Sequence, residues 1–290
     1  MSPRPRLLLL AALALSLGLV AARAEAAERP VLAVEDTIRL AAGALPEYVV
    51  TAPRVTLDEI LRRVNEGEVR RDSLMQDQVF TRLIKVVYRF DEKDSAKKAV
   101  TQLDDARRIY KKKPDLFREV PLRHKVPGKN DDVEIDTNQG MGEQVASFAF
   151  EPRTRASFDF TILERKWVGG HVIYRIGFVP KSKLDPLPSG QVWIDTNEYV
   201  IVREEFWYRD RSPAPLFLEG IDRCVVERSR VDGRWWVITR IFGRIRLAGP
   251  VVTLANIGKH KISQTVDFAA LYTDWQVNRS LPDSIFAGHP

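Results

Sequence analysis

Two β-hairpins in tandem, within residues 158–208, constrain the fold of this chain more than any other feature. In the first, apolar and polar residues alternate from Phe158 to Phe178 around the pair Gly169-Gly170. Alternation of aromatic and β-branched residues with a period of two, broken by a glycine pair, predicts an antiparallel hairpin. A proline-rich linker then leads to a second hairpin within residues 192–208, which turns over residues 196–198.

The first 26 residues have the features of a secretory signal peptide. Arg4 and Arg6 precede an apolar run over residues 7–22, which is followed by small residues in Ala-x-Ala order. The run is shorter than the roughly 20 residues that a membrane-spanning helix needs, which disfavours an uncleaved anchor. No cysteine follows the run, so nothing indicates N-terminal lipidation. We therefore expect an exported protein of a bacterial periplasm.

Residues that carry catalysis or bind metals are sparse. Cys224 is the only cysteine, so a disulfide within the chain is excluded, and its place in an alternating segment predicts a buried, inert thiol. The four histidines are scattered without metal-binding spacing, and no nucleophile stands beside a base in a catalytic motif. The acidic stretch at 127–142 departs from the calcium-loop pattern and is predicted to be a solvated loop. The sequence thus predicts no enzyme, no catalytic residue, no metal and no cofactor.

The formal net charge of +6 is a mild positive excess. In an exported protein such an excess favours anionic surfaces, such as lipid headgroups, over nucleic acid. We expect peripheral contact with a membrane and no nucleic-acid partner.

Upstream of the hairpins the chain is more mixed. Residues 27–55 are predicted to form an extended leader. Thr56 and Glu59 form a capping box, and the apolar spacing that follows predicts an amphipathic helix over 57–66. Alternation predicts a strand over 79–90. Residues 91–113 fit a helix or a strand meander about equally well.

A third hairpin turns at Asp232-Gly233, and the last strand is predicted at about 261–272. Gly243, inside the return strand of this hairpin, predicts a bulge or a sharp bend. One face of the return strand is predicted either to form a core filled by its own side chains or to line a hydrophobic ligand cavity. An apolar segment between prolines, which suits a lip, and the family resemblance described below favour the cavity. The other face is predicted to contact an anionic surface. The cavity residues are Trp235, Val237, Ile241 and Ile245 with Leu216 and Phe217 of the lip, and the anionic-surface residues are Arg240, Arg244 and Arg246.

Six or more long antiparallel strands and one preceding helix predict a mainly β (α+β) fold. A sheet of this length has to cover its apolar side, either as a closed barrel or as a half barrel covered by helices. The residues alone leave both solutions open. A strongly curved antiparallel sheet that forms an unclosed β-barrel, with a few helices over its concave face, is the solution that the family resemblance described next implies. Residues 56–290 would form this single domain.

Two stretches resemble the outer-membrane lipoprotein-sorting superfamily, which includes LolA-like and LolB-like proteins and the N-terminal domain of RseB-like proteins. The segment 190–199, with Trp193, Asp195 and Tyr199, is similar to the central hairpin of the family, and residues 272–286 are similar to the ending of some members. The resemblance implies an unclosed barrel with a helical lid over an apolar cavity that holds acyl chains. The family's arginine at the cavity mouth has three candidates here, which are Arg82, Arg89 and Arg118.

These observations predict a non-enzymatic periplasmic protein that binds a lipid or the acyl chain of a lipidated protein, in envelope transport or sensing. An envelope protein is a further expected partner. The alternative is a scaffold of an envelope assembly that holds no ligand. Trp193 and Tyr199 flank the turn of the second hairpin, and we expect at least one of them to pack against the neighbouring sheet.

Overall fold

The computed structural model describes residues 55–91, 99–125, 148–208, 212, 218–247 and 263–287. The predicted signal peptide, nearly all of the predicted leader and the acidic loop at 127–142 lie outside these residues, as do Leu216 and Phe217 of the predicted lip.

Helix α1 spans Leu57–Leu74 and begins as predicted, because the hydroxyl of Thr56 accepts a hydrogen bond from the backbone N–H of Glu59 at 3.3 Å. The predicted end at residue 66 is wrong, since the helix continues through Gly67. A Cβ atom at Gly67 would stand 2.0 Å from the carbonyl oxygen of Tyr199. The glycine therefore allows the helix to approach a turn of the sheet closely, and its absent side chain matters more than its low helix propensity.

All the described strands belong to one antiparallel sheet. They are β1 (Asp77–Asp91), β2 (Ala99–Lys112), β3 (Leu116–Lys125), β4 (Phe158–Val168), β5 (His171–Pro180), β6 (Ser189–Asp195), β7 (Val200–Tyr208), β8 (Leu218–Val231), β9 (Trp235–Leu247) and β10 (Ser263–Val277). Helix α2 (Pro152–Arg155) and two 3-10 turns, Phe148–Phe150 and Asp283–Ile285, complete the described elements.

The sheet is open. Its strand order is β3-β2-β1-β10-β9-β8-β7-β6-β5-β4, so β3 and β4 are the edge strands among the described residues. The chain returns from β9 through β10 to pair with β1. The predicted mainly β fold with an unclosed sheet is confirmed.

The three predicted hairpins are confirmed as β4–β5, β6–β7 and β8–β9. Their turns use backbone with positive φ, at Gly169 and Gly170 (54° and 85°) and at Asp232 and Gly233 (53° and 63°). The open question over residues 91–113 is settled for its described part, because residues 99–112 form β2 and pair with β1 along its length.

One face of the sheet carries the main hydrophobic core, and we call it the inner face. A flat sheet of this strand order would be roughly 43 Å wide, whereas a helix is only about 10 Å across. Inner-face residues from β2 to β5 are nevertheless buried in one continuous cluster with Ile60 and Val64 of α1. The sheet buries this face by curving around it, as sheets with many twisted strands do.

Neither Trp193 nor Tyr199 belongs to this core, so the expected packing against a neighbouring sheet is wrong. Both side chains are only partly buried, and each lies beneath an arginine, Arg203 over Trp193 at 5.1 Å and Arg63 over Tyr199 at 5.0 Å. Beside the turn, the core positions of this hairpin are occupied by Ile194 and Ile201.

Candidate functional site: the inner face of the sheet

The residues of β9 that were predicted to line one face fall into two groups. Ile241 and Ile245 are buried in the main core, but Trp235 and Val237 lie in a second cluster with Met75. The cause is a register shift against β8, where Glu227 pairs with Arg240 and Arg228 pairs with Ile238, which leaves Thr239 without an opposite residue. An extra residue in one strand reverses the alternation beyond it, so the prediction of one shared face is wrong.

Gly243 is not the site of this bulge, since it pairs in register with Cys224 and Phe268. A Cβ atom there would stand 2.3 Å from the carbonyl oxygen of Arg223. The glycine thus permits a close approach of two backbones, and the bulge within β9 lies four residues upstream at Thr239. Another register shift, between Ile221 and Arg223 of β8, lies opposite residues 244 and 245.

The three arginines predicted to contact an anionic surface already have carboxylate partners on adjacent strands. Arg240 donates to Glu227 at 2.8 Å, and Arg244 donates to Asp267 at 2.6 and 3.2 Å. Arg246 donates to Glu219 at 3.1 Å and to Asp222 at 2.8 Å. Their charges are largely compensated within the molecule, and contact with an anionic surface remains a prediction.

The inner face also carries charged residues that sequence reasoning did not select. On β8 the inner-face positions run Cys224, Val226 and Arg228, and Arg228 reaches Glu68 of α1. Its Nη1 lies 2.8 and 2.9 Å from the two oxygens of Glu68, and 2.8 Å from the carbonyl oxygen of Ile201. Glu68 also accepts the backbone N–H of Ile201 at 2.8 Å. This buried ion pair ties α1 to two strands of the sheet.

Glu204 lies on the same face, between core residues of β7. Only 2% of its surface is exposed, and burial raises the pKa of its carboxyl well above the usual value, with a smaller upward contribution from Glu68 and an opposing one from Arg228. Burial also raises the pKa of Tyr208 and that of Cys224, with the charge of Glu204 adding to both. The thiol of Cys224 is therefore buried and protonated, which agrees with the inert thiol predicted.

A second polar group occupies the inner face of β1, β2 and β3. Arg82 lies between the core residues Phe80 and Ile84 and donates to Glu119 at 2.9 Å. Arg107 donates to Glu119 at 2.7 Å and to Asp105 at 2.9 Å. The Nδ1 atom of His124 lies 3.0 Å from Asp105. Of the three arginines considered for the family's cavity mouth, Arg82 is thus on the inner face and ion-paired, while Arg118 donates to the carbonyl oxygen of Ile285.

The sequence does mark Glu204, Arg228 and Arg82 in one way. Each is a charged residue at a position of an alternating strand where an apolar residue is expected. Without the register, Glu204 and Glu205 read as ordinary neighbours on a strand, but they point to opposite faces. Glu205 lies on the outer face, where it accepts from Arg223 at 2.9 Å.

Within the described ranges there is no group of three or more histidine, cysteine, aspartate or glutamate side chains placed to hold a metal ion. Nor does any helix in this part of the chain combine the length and apolar character needed to cross a membrane.

Comparisons with known proteins return structures but no sequence family. No family model matches the chain, and no curated protein matches it significantly. Among solved structures, a domain of an outer membrane lipoprotein-sorting protein from Vibrio parahaemolyticus is 12% identical, with a TM-score of 0.30 over 78% of this chain and 95% of that one. A LolA superfamily protein from Nitrosomonas europaea is 15% identical, with a TM-score of 0.26 over 81% and 99% of the two chains.

The MucA/MucB complex of Pseudomonas aeruginosa matches at 10% identity and a TM-score of 0.25, over 74% of this chain and 93% of that one. The superfamily that the sequence resembles is thus also named among the solved structures that match. At this level of identity and structural overlap, no function is transferred to the chain.

Proposed function

We propose that this protein is a non-enzymatic periplasmic protein that binds an acyl chain, of a lipid or of a lipidated protein, on the inner face of its sheet. The observation that supports this proposal most is the inner face itself. It carries one continuous cluster of buried apolar side chains on an open sheet, and α1 and the short segment 148–155 are described elements that lie against it. Ligand sites for apolar molecules are lined predominantly by apolar side chains with a few polar groups, and the inner face has this composition.

The attachment of α1 supports the same proposal. The apolar contacts of the helix centre on Ile60, Leu61 and Val64, and its C-terminal half is held largely by polar contacts such as Glu68 with Arg228 and Arg70 with the carbonyl oxygen of Glu198. Polar contacts can be exchanged with water at small net cost, so this half of the helix can separate from the sheet more readily than a fully apolar helix would.

The proposed periplasmic location rests on the N-terminal sequence. A basic start, a short apolar run and Ala-x-Ala sites favour export and removal of the first 26 residues. The mild positive charge suits a compartment whose surfaces carry anionic lipid headgroups.

Binding of a fluorescent long-chain fatty acid tests the proposal. Wild type should bind the probe, and Ile241→Glu should lose at least about tenfold in affinity, because a charge on the inner face is costly to desolvate. Leu271→Glu is the matched control, since Leu271 lies on the neighbouring strand with 44% of its surface exposed. A folded wild type that binds no long-chain probe would contradict the proposal.

One observation favours the alternative, a scaffold that holds no ligand. The edge strand β4 exposes several large apolar side chains, and an exposed strand edge can pair with a strand of another protein. These residues are Ile162, Leu163, Trp167 and Val168. A scaffold would lose its partner on Trp167→Lys and would be indifferent to Ile241→Glu in a correctly folded protein.

A further inference from the structure

Oε2 of Glu204 and Nε of Arg228 are among the buried side-chain atoms for which the described residues offer no hydrogen-bond partner. Both residues lie on the inner face, where they are 2% and 6% exposed. Polar groups this deeply buried are nearly always hydrogen-bonded in native proteins. A group left without a partner therefore needs an explanation, such as a functional role, an ion or a water molecule.

The two groups belong to one place on the sheet. Glu204 pairs with Val226 of β8, and Arg228 follows two residues along on the same face, which makes Glu204 and Arg228 diagonal neighbours. Long side chains on diagonal positions of adjacent strands can reach a common point. The nearby carboxylate of Glu68 already accepts hydrogen bonds from Arg228 and from the N–H of Ile201, and no hydrogen bond joins it to Glu204.

We propose that Glu204 and Arg228 bind the carbonyl end of the acyl chain that the inner face is proposed to hold. This inference rests on the proposed function and assigns a polar anchor to it. The apolar residues Val192 and Val226, which pair directly with Glu204, would contact the methylene groups next to that carbonyl.

The chemistry of the two groups selects an acceptor. Burial raises the pKa of Glu204, which favours its protonated form, and a protonated carboxyl donates one O–H. The guanidinium of Arg228 can only donate. Two donors on diagonal positions of adjacent strands suit a carbonyl oxygen, whether of a free fatty acid or of an acyl ester. A hydrocarbon offers no acceptor and would leave both donors open.

Three fluorescent probes and three variants test this anchor. The probes are cis-parinaric acid, its methyl ester and the hydrocarbon diphenylhexatriene. Glu204→Met removes the donor at nearly the same volume, whereas Glu204→Gln keeps an N–H donor at that position. Glu205→Gln is the control, because it changes the adjacent carboxylate on the outer face.

We expect Glu204→Met to weaken binding of the acid alone, or of the acid and the ester together, by about tenfold, the loss expected for one buried hydrogen bond. Binding of the hydrocarbon should stay within about twofold of wild type. Glu204→Gln and Glu205→Gln should stay near wild type. If Glu204→Met loses affinity for the acid alone, the ligand class is a free fatty acid. If it loses affinity for both the acid and the methyl ester, the anchored group is the acyl carbonyl that acids and esters share.

Three results would overturn the anchor while the proposed function stands. In the first, Glu204→Met binds all three probes as wild type does. In the second, Glu204→Met loses affinity for the hydrocarbon as severely as for the acid. In the third, Glu204→Gln loses as much affinity as Glu204→Met. If wild type binds none of the probes, the proposed function fails, and the anchor with it.

Discussion

At the scale of single residues, the inner face differs from an ordinary core in the charged side chains that it buries. Glu204 and Arg228 of the sheet and Glu68 of α1 are buried among apolar residues. A buried charge is costly unless it is paired, and the pairing is uneven here. Arg228 and Glu68 compensate each other, whereas Oε2 of Glu204 has no hydrogen-bond partner among the described residues.

This arrangement predicts a specific dependence of stability on pH. The pKa of Glu204 is raised above its ordinary value of 4.5, with Glu68, Arg228, Tyr208 and Cys224 facing it. The folded protein therefore holds a proton that the unfolded chain has lost, and the free energy of unfolding falls as the pH rises above about 4.5. Glu204→Gln has no carboxyl to titrate at this position, so this decrease in the free energy of unfolding should be absent. The difference in free energy of unfolding between Glu204→Gln and wild type should therefore grow from pH 4.5 to neutrality.

Urea unfolding of both proteins at several pH values measures that advantage. Glu205→Gln controls for the removal of a carboxylate from the same strand. An advantage of Glu204→Gln that stays constant or shrinks as the pH rises would show that Glu204 is not protonated in the folded protein.

At the scale of elements, local sequence predicted most strands because hairpins depend on neighbouring residues. The turns at 169–170 and 232–233 and the alternation on either side of them are read directly from the chain. The bulge at Thr239 could not be read, because it depends on the register with β8 and no local residue marks it. For this reason Trp235 and Val237 were placed with Ile241 and Ile245, and the structure separates them.

The candidate site was less predictable than the strands. Arg228 and Glu68 are 160 positions apart, and only the packing of α1 on β8 brings them together. The extension of α1 through Gly67 was missed for a related reason, since the glycine is required by its contact with the turn at Tyr199 and not by the helix.

That contact gives a prediction for the helix as an element. In an ordinary helix, alanine in place of glycine is favourable by about 1 kcal/mol. At residue 67 the added Cβ would meet the carbonyl oxygen of Tyr199, and overpacking typically costs about 1–3 kcal/mol. Gly67→Ala should therefore lower the melting temperature. Glu66→Ala, at the adjacent exposed position, should change it little, and a more stable Gly67→Ala protein would show that α1 does not approach the turn closely.

At the scale of the whole molecule, an open sheet with an apolar inner face has two ways to keep that face from water. It can fill the face with its own side chains and α1, or it can share the face with a ligand. Many inner-face residues are fully buried by the chain itself, so a ligand has to enter between α1 and the sheet. The central claim is that it does so with an acyl chain.

Native mass spectrometry of the protein purified from the bacterial envelope, released into the gas phase without detergent, tests that claim most directly. We predict a bound species whose extra mass, on dissociation, is that of an acyl lipid or fatty acid, and we predict its loss in Ile241→Glu but not in Leu271→Glu. A wild-type protein that appears only at its own mass, and that stays so after incubation with long-chain fatty acid, would contradict it.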